Sequence, residues 1–221
     1  MNVLLMGASG MVGGGVLREL LADADITSVL VVGRSSCGVR HPKLREELTS
    51  DLFNVAPFAA ELSGIDACIW TIGVSSVGLD AQEYGRLTHD LTIKWAQELL
   101  THNPSASFCY CSAGGAGGRG MWAQTRQRVE KALQEMPFKH SGAVRPGFIR
   151  PAPGVRSKTR AYQAGAAVLA AMGRFYNVFP ALVPALFTTS ERLGRAMINV
   201  VKGKVDRFIL ESKDINRFGL L

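Results

Sequence analysis

The stretch Met1-Asn-Val-Leu-Leu-Met-Gly-Ala-Ser-Gly-Met-Val-Gly-Gly-Gly15 decides the fold. Val3 to Met6 is a short apolar run of the kind a buried strand makes, and Val12, Val16, Leu17, Leu20 and Leu21 then recur at helical spacing. The period switches at the glycines. Gly7, Gly10 and Gly13 form G-x-x-G-x-x-G, a variant of the dinucleotide fingerprint. In it, missing side chains let the backbone approach a pyrophosphate and let the helix pack closely on the strand. The helix N-terminus then turns its exposed N–H groups and its dipole toward the anion.

Working outward, Thr27 to Val32 (TSVLVV) is a β-branched run that predicts a second strand beside the first. It ends at Gly33-Arg34-Ser35, the corner that meets the adenosine ribose in a Rossmann unit. An acid there accepts hydrogen bonds from a free 2′-hydroxyl, whereas an arginine pairs with a 2′-phosphate. Arg34 holds the corner and no Asp or Glu does, so the sequence favours NADP(H) over NAD(H).

The alternation continues. A weaker strand around Glu47 to Ser50 leads into Asp51-Leu52, a turn able to bracket an adenine with a carboxylate and an apolar side chain. Val55, Phe58, Ala59 and Leu62 have helical spacing, and Asp66 to Ile72 (DACIWTI) is a strand ending at Gly73, where a doubly wound sheet changes direction. From Ala81 to His102, Tyr84, Leu87, Leu91, Trp95 and Leu99 form one helical stripe that reads as core. Ser107 to Cys111 is a strand that delivers Ser112 to the same edge as Gly73. The run Gly114-Gly-Ala-Gly-Gly-Arg-Gly120 is either a loop over a ligand or a surface loop. A helix from about Met121 to Met136 puts Arg126 one turn beyond Trp122.

Gly142 to Arg145 is the next strand. Beyond it the spacing predicts helices near Ala161 to Met172 and Ser190 to Val201, with Thr188-Thr-Ser-Glu191 as a capping box and a last strand at Asp206 to Leu210. The class is α/β: a doubly wound, Rossmann-like, mainly parallel sheet with helices on both faces and a small C-terminal helical extension. Residues 1–221 read as one domain, with 150–221 on the substrate or lid side.

Composition agrees. A chain of 221 residues can bury one sizeable core, and 47% hydrophobic with 19% charged residues is neither disordered nor fibrous. Cys37, Cys68, Cys109 and Cys111 fit no C-x-x-C pattern and read as reduced thiols, and the dispersed His41, His89, His102 and His140 make no metal site. Because the first strand begins almost at Met1, no signal or transit peptide is expected and the cytoplasm is. The apolar stretch Ala161 to Phe187 is interrupted by Arg174, Asn177, Pro180 and Pro184, which predicts a buried helix pair or lid rather than a membrane span. The net charge of +7 suits an anionic ligand, but it is spread along the chain and no nucleic-acid motif accompanies it.

Taken together, G-A-S-G-x-x-G, the Gly-Arg after the second strand, Asp51-Leu52, Gly73, Ser112 and Arg145-Pro-Gly147 resemble an atypical short-chain dehydrogenase/reductase. The likeness runs toward the branch containing the human Tat-interacting oxidoreductase and its bacterial relatives. It implies a bound NADP(H), with the pyrophosphate on Gly7, Ser9, Gly10, Met11, Val12 and Gly13, and the 2′-phosphate on Arg34 beside Ser35. The adenine would lie near Asp51 and Leu52. It further implies the nicotinamide half against Thr71, Ile72, Gly73, Ser112 and Pro146, Gly147 and Phe148, and a homodimer through two helices.

One departure limits the likeness. Reductases of this type carry Tyr-x-x-x-Lys after the fifth strand, the tyrosine as general acid/base and the lysine lowering its pKa. Here Trp122 and Arg126 stand at those positions. An indole N–H does not titrate usefully near neutrality, whereas Arg126 still offers a cation and hydrogen bonds to a ribose. Two readings follow. One is a cofactor-binding or redox-sensing protein with a partner surface. The other is an NADPH-dependent oxidoreductase or epimerase-like enzyme on a small carbonyl substrate, with Ser112 and Arg126 as its catalytic residues and water, Cys111 or a tyrosine from elsewhere as proton source.

Overall fold

The computed structural model describes residues 1–150 and 187–221. The helix expected near Ala161 to Met172, and the helix pair or lid expected before Phe187, lie outside them. In the described residues β1 (Asn2–Met6) runs into α1 (Met11–Ala22), then β2 (Ser28–Gly33), β3 (Leu44–Leu48), α2 (Ala59–Leu62) and β4 (Ala67–Trp70). They are followed by α3 (Ala81–Gly85), α4 (Leu91–His102), β5 (Ser107–Cys111), α5 (Met121–Glu135), β6 (Ser141–Arg145) and β7 (Phe148–Arg150). The chain then supplies β8 (Phe187–Thr189), α6 (Ser190–Val201), β9 (Ile209–Glu211) and α7 (Ser212–Phe218).

Seven strands form one parallel sheet in the order β3-β2-β1-β4-β5-β6-β9, and β7 pairs with β8 in a separate parallel ribbon. Successive side chains on a strand point to opposite faces, and the two cores follow that rule. Val3, Leu5, Val29, Val31 and Ile69 face α1, α6 and α7. Leu4, Met6, Leu30, Val32, Trp70 and Phe108 face α2, α4 and α5. Because every strand of the large sheet is parallel, all carboxyl ends lie along one edge. The order reverses between β1 and β4, so a crevice opens beside the glycine turn.

Several boundaries differ from the sequence reading, among them the last strand, which is Ile209–Glu211 and not Asp206 to Leu210. The weak third strand is Leu44–Leu48, earlier than Glu47 to Ser50; it is an edge strand in which three charges separate two leucines, so hydrophobic alternation marks it poorly. The helical stripe from Ala81 is broken by a π-helical turn at Arg86–Asp90. Leu91, Trp95 and Leu99 stay in the core on α4, while Tyr84 is carried toward α5. The cap of α6 is Thr189, whose hydroxyl accepts from the Arg192 N–H at 3.2 Å, and not Thr188, which donates to Asn216 Oδ1 at 2.9 Å. The reciprocal capping box belongs to α7, between Glu211 and Asp214.

Small residues set the closest helix contact. A Cβ on Gly15 of α1 would lie 2.7 Å from Ser190 Cβ, and one on Gly194 of α6 would lie 2.9 Å from Glu19 Cγ. These two glycines let α1 and α6 cross over the same sheet face, and the Arg195–Glu19 ion pair at 2.7 Å closes the contact at its rim.

Candidate functional site

The glycine turn is shaped by steric exclusion. Gly7 has φ +92°, and a Cβ there would lie 2.7 Å from Thr71 Oγ1 and 2.8 Å from the Ile72 nitrogen. A Cβ on Gly13 would collide with the carbonyl oxygen of Gly7 and lie 2.7 Å from Thr71 Oγ1. Thr71 fastens β4 to the turn: its N–H and hydroxyl both donate to the Met6 carbonyl, at 2.8 and 2.7 Å. The Gly10 N–H closes the turn onto the Gly7 carbonyl at 3.0 Å. Gly10 also occupies the cap position of α1 and has no side chain with which to satisfy the helix's leading N–H groups. With no acid in that first turn, the positive end of α1 is left bare.

A cleft of about 190 Å³ opens at this turn. Of the expected residues, Gly7, Ser9, Gly10, Arg34, Ser35, Leu52, Thr71, Ile72 and Gly73 line it, joined by Ala8 and Val74. Met11, Val12 and Gly13 form the start of α1 at its margin. Asp51 is exposed and off the lining; its carboxylate accepts from the Phe53 N–H at 2.9 Å, an Asx turn that holds the Leu52 loop in shape. Trp95 Nε1 donates to the Leu52 carbonyl at 2.8 Å and steadies the same loop. A larger hollow of about 500 Å³ lies at the opposite, amino end of the strands, lined by Asn2, Ser28, Arg45 and Glu61 among others. Its one arginine is already paired with Glu61 at 3.2 Å, and the glycine turn from Gly7 to Gly13 does not border it.

The corner after β2 holds an acid that its own sequence position hides. Glu46, on β3, accepts from the Ser36 hydroxyl at 2.8 Å and from the Cys37 N–H at 2.7 Å. Burial opposes its charge, but the hydrogen bonds from Cys37 and Ser36 outweigh burial and keep the carboxyl below its usual range. Glu46 thus orders the loop that follows Arg34. Arg34 itself is exposed and has no ion-pair partner among the described residues.

Beyond Gly73 the site changes character. Ser112, 4% exposed, donates its N–H to the Val144 carbonyl, but its Oγ has no hydrogen-bond partner. The Arg126 guanidinium is drawn in from α5: Nε donates to Tyr84 Oη at 3.2 Å, and Nη1 to Tyr110 Oη at 3.4 Å and to the Cys111 carbonyl at 3.3 Å. Its Nη2 lies 3.3 Å from where a Cβ on Gly73 would be. Tyr84 and Tyr110 were missed by sequence reasoning, and no local signal marks them. Burial pushes the Tyr110 phenol up and the Cys111 thiol up to about 11 despite Arg126.

Trp122 packs beneath the glycine loop. Its ring edge would lie 3.4 Å from a Cβ on Gly115, and its Nε1 3.2 Å from one on Gly120. The loop is tied at its start, where the Gly114 N–H donates to the Pro146 carbonyl at 2.8 Å. The Gly147 N–H in turn donates to Ser212 Oγ at 2.9 Å, and Phe148 stacks on Phe187 with ring centroids 5.3 Å apart. Pro146, Gly147 and Phe148 therefore stand with the glycine loop and α7, apart from the cleft lining.

No family model matches the chain. A Chaetomium globosum protein named FMP52, mitochondrial, is 28% identical over 98% of this chain and 96% of its own length. The Emericella nidulans protein of that name is 26% identical over 90% and 86%. Among solved structures, a dTDP-glucose 4,6-dehydratase from Streptomyces venezuelae with NAD bound has a TM-score of 0.71 at 15% identity, covering 100% of this chain and 80% of that one. The Bordetella bronchiseptica enzyme WbmH, in complex with NAD+, gives 0.68 at 15% over 98% and 79%. A short-chain dehydrogenase/reductase from Saccharomyces cerevisiae gives 0.66 at 13% over 98% of both chains. The fold is thus the Rossmann-like one shared by short-chain dehydrogenases and NAD-dependent epimerases and dehydratases, and its relatives in sequence are FMP52 proteins.

The cytoplasmic expectation is overturned by those relatives, which are named mitochondrial. It leaned on the position of the first strand, and a cellular address read by a receptor is not a property of the sheet or the glycine turn. Among the described residues, no helix is long and apolar enough to cross a membrane.

Proposed function

We propose that the chain binds NADP(H), in the manner of the atypical short-chain dehydrogenases it resembles, as a cofactor-binding or redox-sensing protein in which Trp122 and Arg126 replace the tyrosine and lysine. The observation that carries the reading is the bare turn from Gly7 to Gly13 at the point where the sheet order reverses. The leading N–H groups of α1 hold the pyrophosphate there. The cleft then runs past Gly33 to Arg34, which takes the 2′-phosphate. Glu46 supports the preference, because its carboxylate is turned onto Ser36 and Cys37 and is not part of the cleft lining. When bound, the nicotinamide supplies a hydride or takes one up.

A charge-assisted hydrogen bond contributes about 1.5–3 kcal/mol. Arg34→Ala therefore weakens NADPH binding by about 10- to 100-fold and leaves NADH binding unchanged. Isothermal titration with both nucleotides checks this, and equal affinity losses for the two would contradict the phosphate assignment.

A specific observation favours the enzyme reading as well: the Ser112 hydroxyl, buried and unpartnered beside Gly73's edge of the sheet, suits a substrate carbonyl oxygen. Against it, Trp122 cannot exchange a proton, and the raised pKa values of Tyr110 and Cys111 make both reluctant acids. A screen of NADPH oxidation with aldehydes, ketones and quinones decides. Turnover that disappears in Ser112→Ala establishes the enzyme, and the absence of turnover with every acceptor class leaves the binding protein.

A further inference from the structure

Arg126 presents an unusual balance of charge. It is 8% exposed, yet it has no carboxylate partner among the described residues; the acid one turn further along α5, Glu130, is committed to Arg145 at 2.6 Å. Its three neighbours, Tyr84, Tyr110 and the Cys111 carbonyl, are neutral acceptors that use Nε and Nη1. A guanidinium has five donors. The two on Nη2 have no acceptor among the described residues, and Nη2 stands beside Gly73. A buried ion without a counter-charge is costly and calls for a partner from outside the chain.

The second orphan is next door. Arg126 grips the carbonyl of Cys111, and the following residue is Ser112, whose Oγ is buried and still lacks the partner such a hydroxyl calls for. Gly73 faces Nη2, and a Cβ there would come within 3.3 Å of it, so no side chain of Gly73 covers that edge of the guanidinium. We infer that Arg126 and Ser112 form a subsite for a small oxo acid, Nη2 of Arg126 donating to its carboxylate and the Ser112 hydroxyl to its carbonyl oxygen. The inference rests on the proposed nucleotide site for the placement of the carbonyl, and on the charge balance of Arg126 alone for the carboxylate.

The test uses 2-oxobutyrate and its neutral counterpart butanone, followed by ligand-observed saturation-transfer NMR on the whole chain, with and without saturating NADP+. Wild type is expected to bind 2-oxobutyrate at least about tenfold more tightly than butanone, the contribution of one charge-assisted hydrogen bond. Arg126→Met is expected to erase that preference, and Arg126→Lys to retain it at several-fold lower strength because the fork is lost. No preference in wild type, or a preference that survives in a folded Arg126→Met, overturns the subsite. Where Arg126→Met does not fold by circular dichroism, the wild-type comparison and Arg126→Lys decide, and a lysine variant that binds as well as wild type overturns it. Wild type that shows no saturation transfer to NADP+ itself, while still preferring the carboxylate, sinks the nucleotide reading and supports the subsite on its own.

Discussion

Gly13→Ala abolishes dinucleotide binding and lowers the melting temperature. The new methyl falls on the Gly7 carbonyl and within 2.7 Å of Thr71 Oγ1, and neither can yield. Gly7 is held at φ +92° with its carbonyl accepting from Gly10, while Thr71 is bound twice to Met6. The turn and the first residues of α1 must move apart. Overpacking of this sort costs about 1–3 kcal/mol, or roughly 2–10 °C in a chain of this size. Two charge-assisted bonds to the pyrophosphate, lost with the displaced backbone, amount to at least about 100-fold in affinity. Thermal unfolding with and without NADPH reads both effects: the variant melts lower and gains nothing from the nucleotide. A variant protected by NADPH as well as wild type would show that the turn does not carry the ligand.

Arg145→Met has the larger effect on stability. Arg145 holds Glu130 through two bonds, Nε to Oε1 at 2.9 Å and Nη2 to Oε2 at 2.6 Å, and reaches Glu211 with Nη1 at 3.1 Å. One guanidinium thus ties α5 to β6 and to β9, the last strand of the sheet. The hydrogen bond with Glu130 raises the Arg145 pKa further above its usual value, so the cation persists at any working pH. Glu130 is 3% exposed. Removing the arginine strands its carboxylate in the core, and breaking a buried pair in this way costs about 3–5 kcal/mol. The urea midpoint should fall accordingly, and Glu130→Gln in the same background should recover part of the loss by removing the stranded charge. A midpoint that does not move in Arg145→Met would mean that water already reaches Glu130.

What could be read directly from the chain was whatever local sterics and periodicity fix. The strand, turn and helix from Asn2 to Ala22 follow from glycines that admit no side chain, and Thr71 and Gly73 follow from the end of an apolar run. The parallel order is legible because strands and helices alternate. Contacts made across the fold were not legible. Tyr84 reaches Arg126 over 42 positions, through a π turn that the hydrophobic stripe does not announce. Glu46 closes on Ser36 and Cys37 only because β3 lies beside β2, and an edge strand with three charges looks from its sequence like a surface loop. Trp122 stands where a catalytic tyrosine was sought, yet it supports the glycine loop through packing that composition alone does not suggest.

The central claim is a nucleotide site selective for the 2′-phosphate, and a titration of the wild-type chain with NADPH and NADH tests it most directly. Saturable one-to-one binding, with NADPH at least about tenfold tighter than NADH, is the predicted result. Binding of neither nucleotide, or NADH bound as tightly as NADPH, would contradict it.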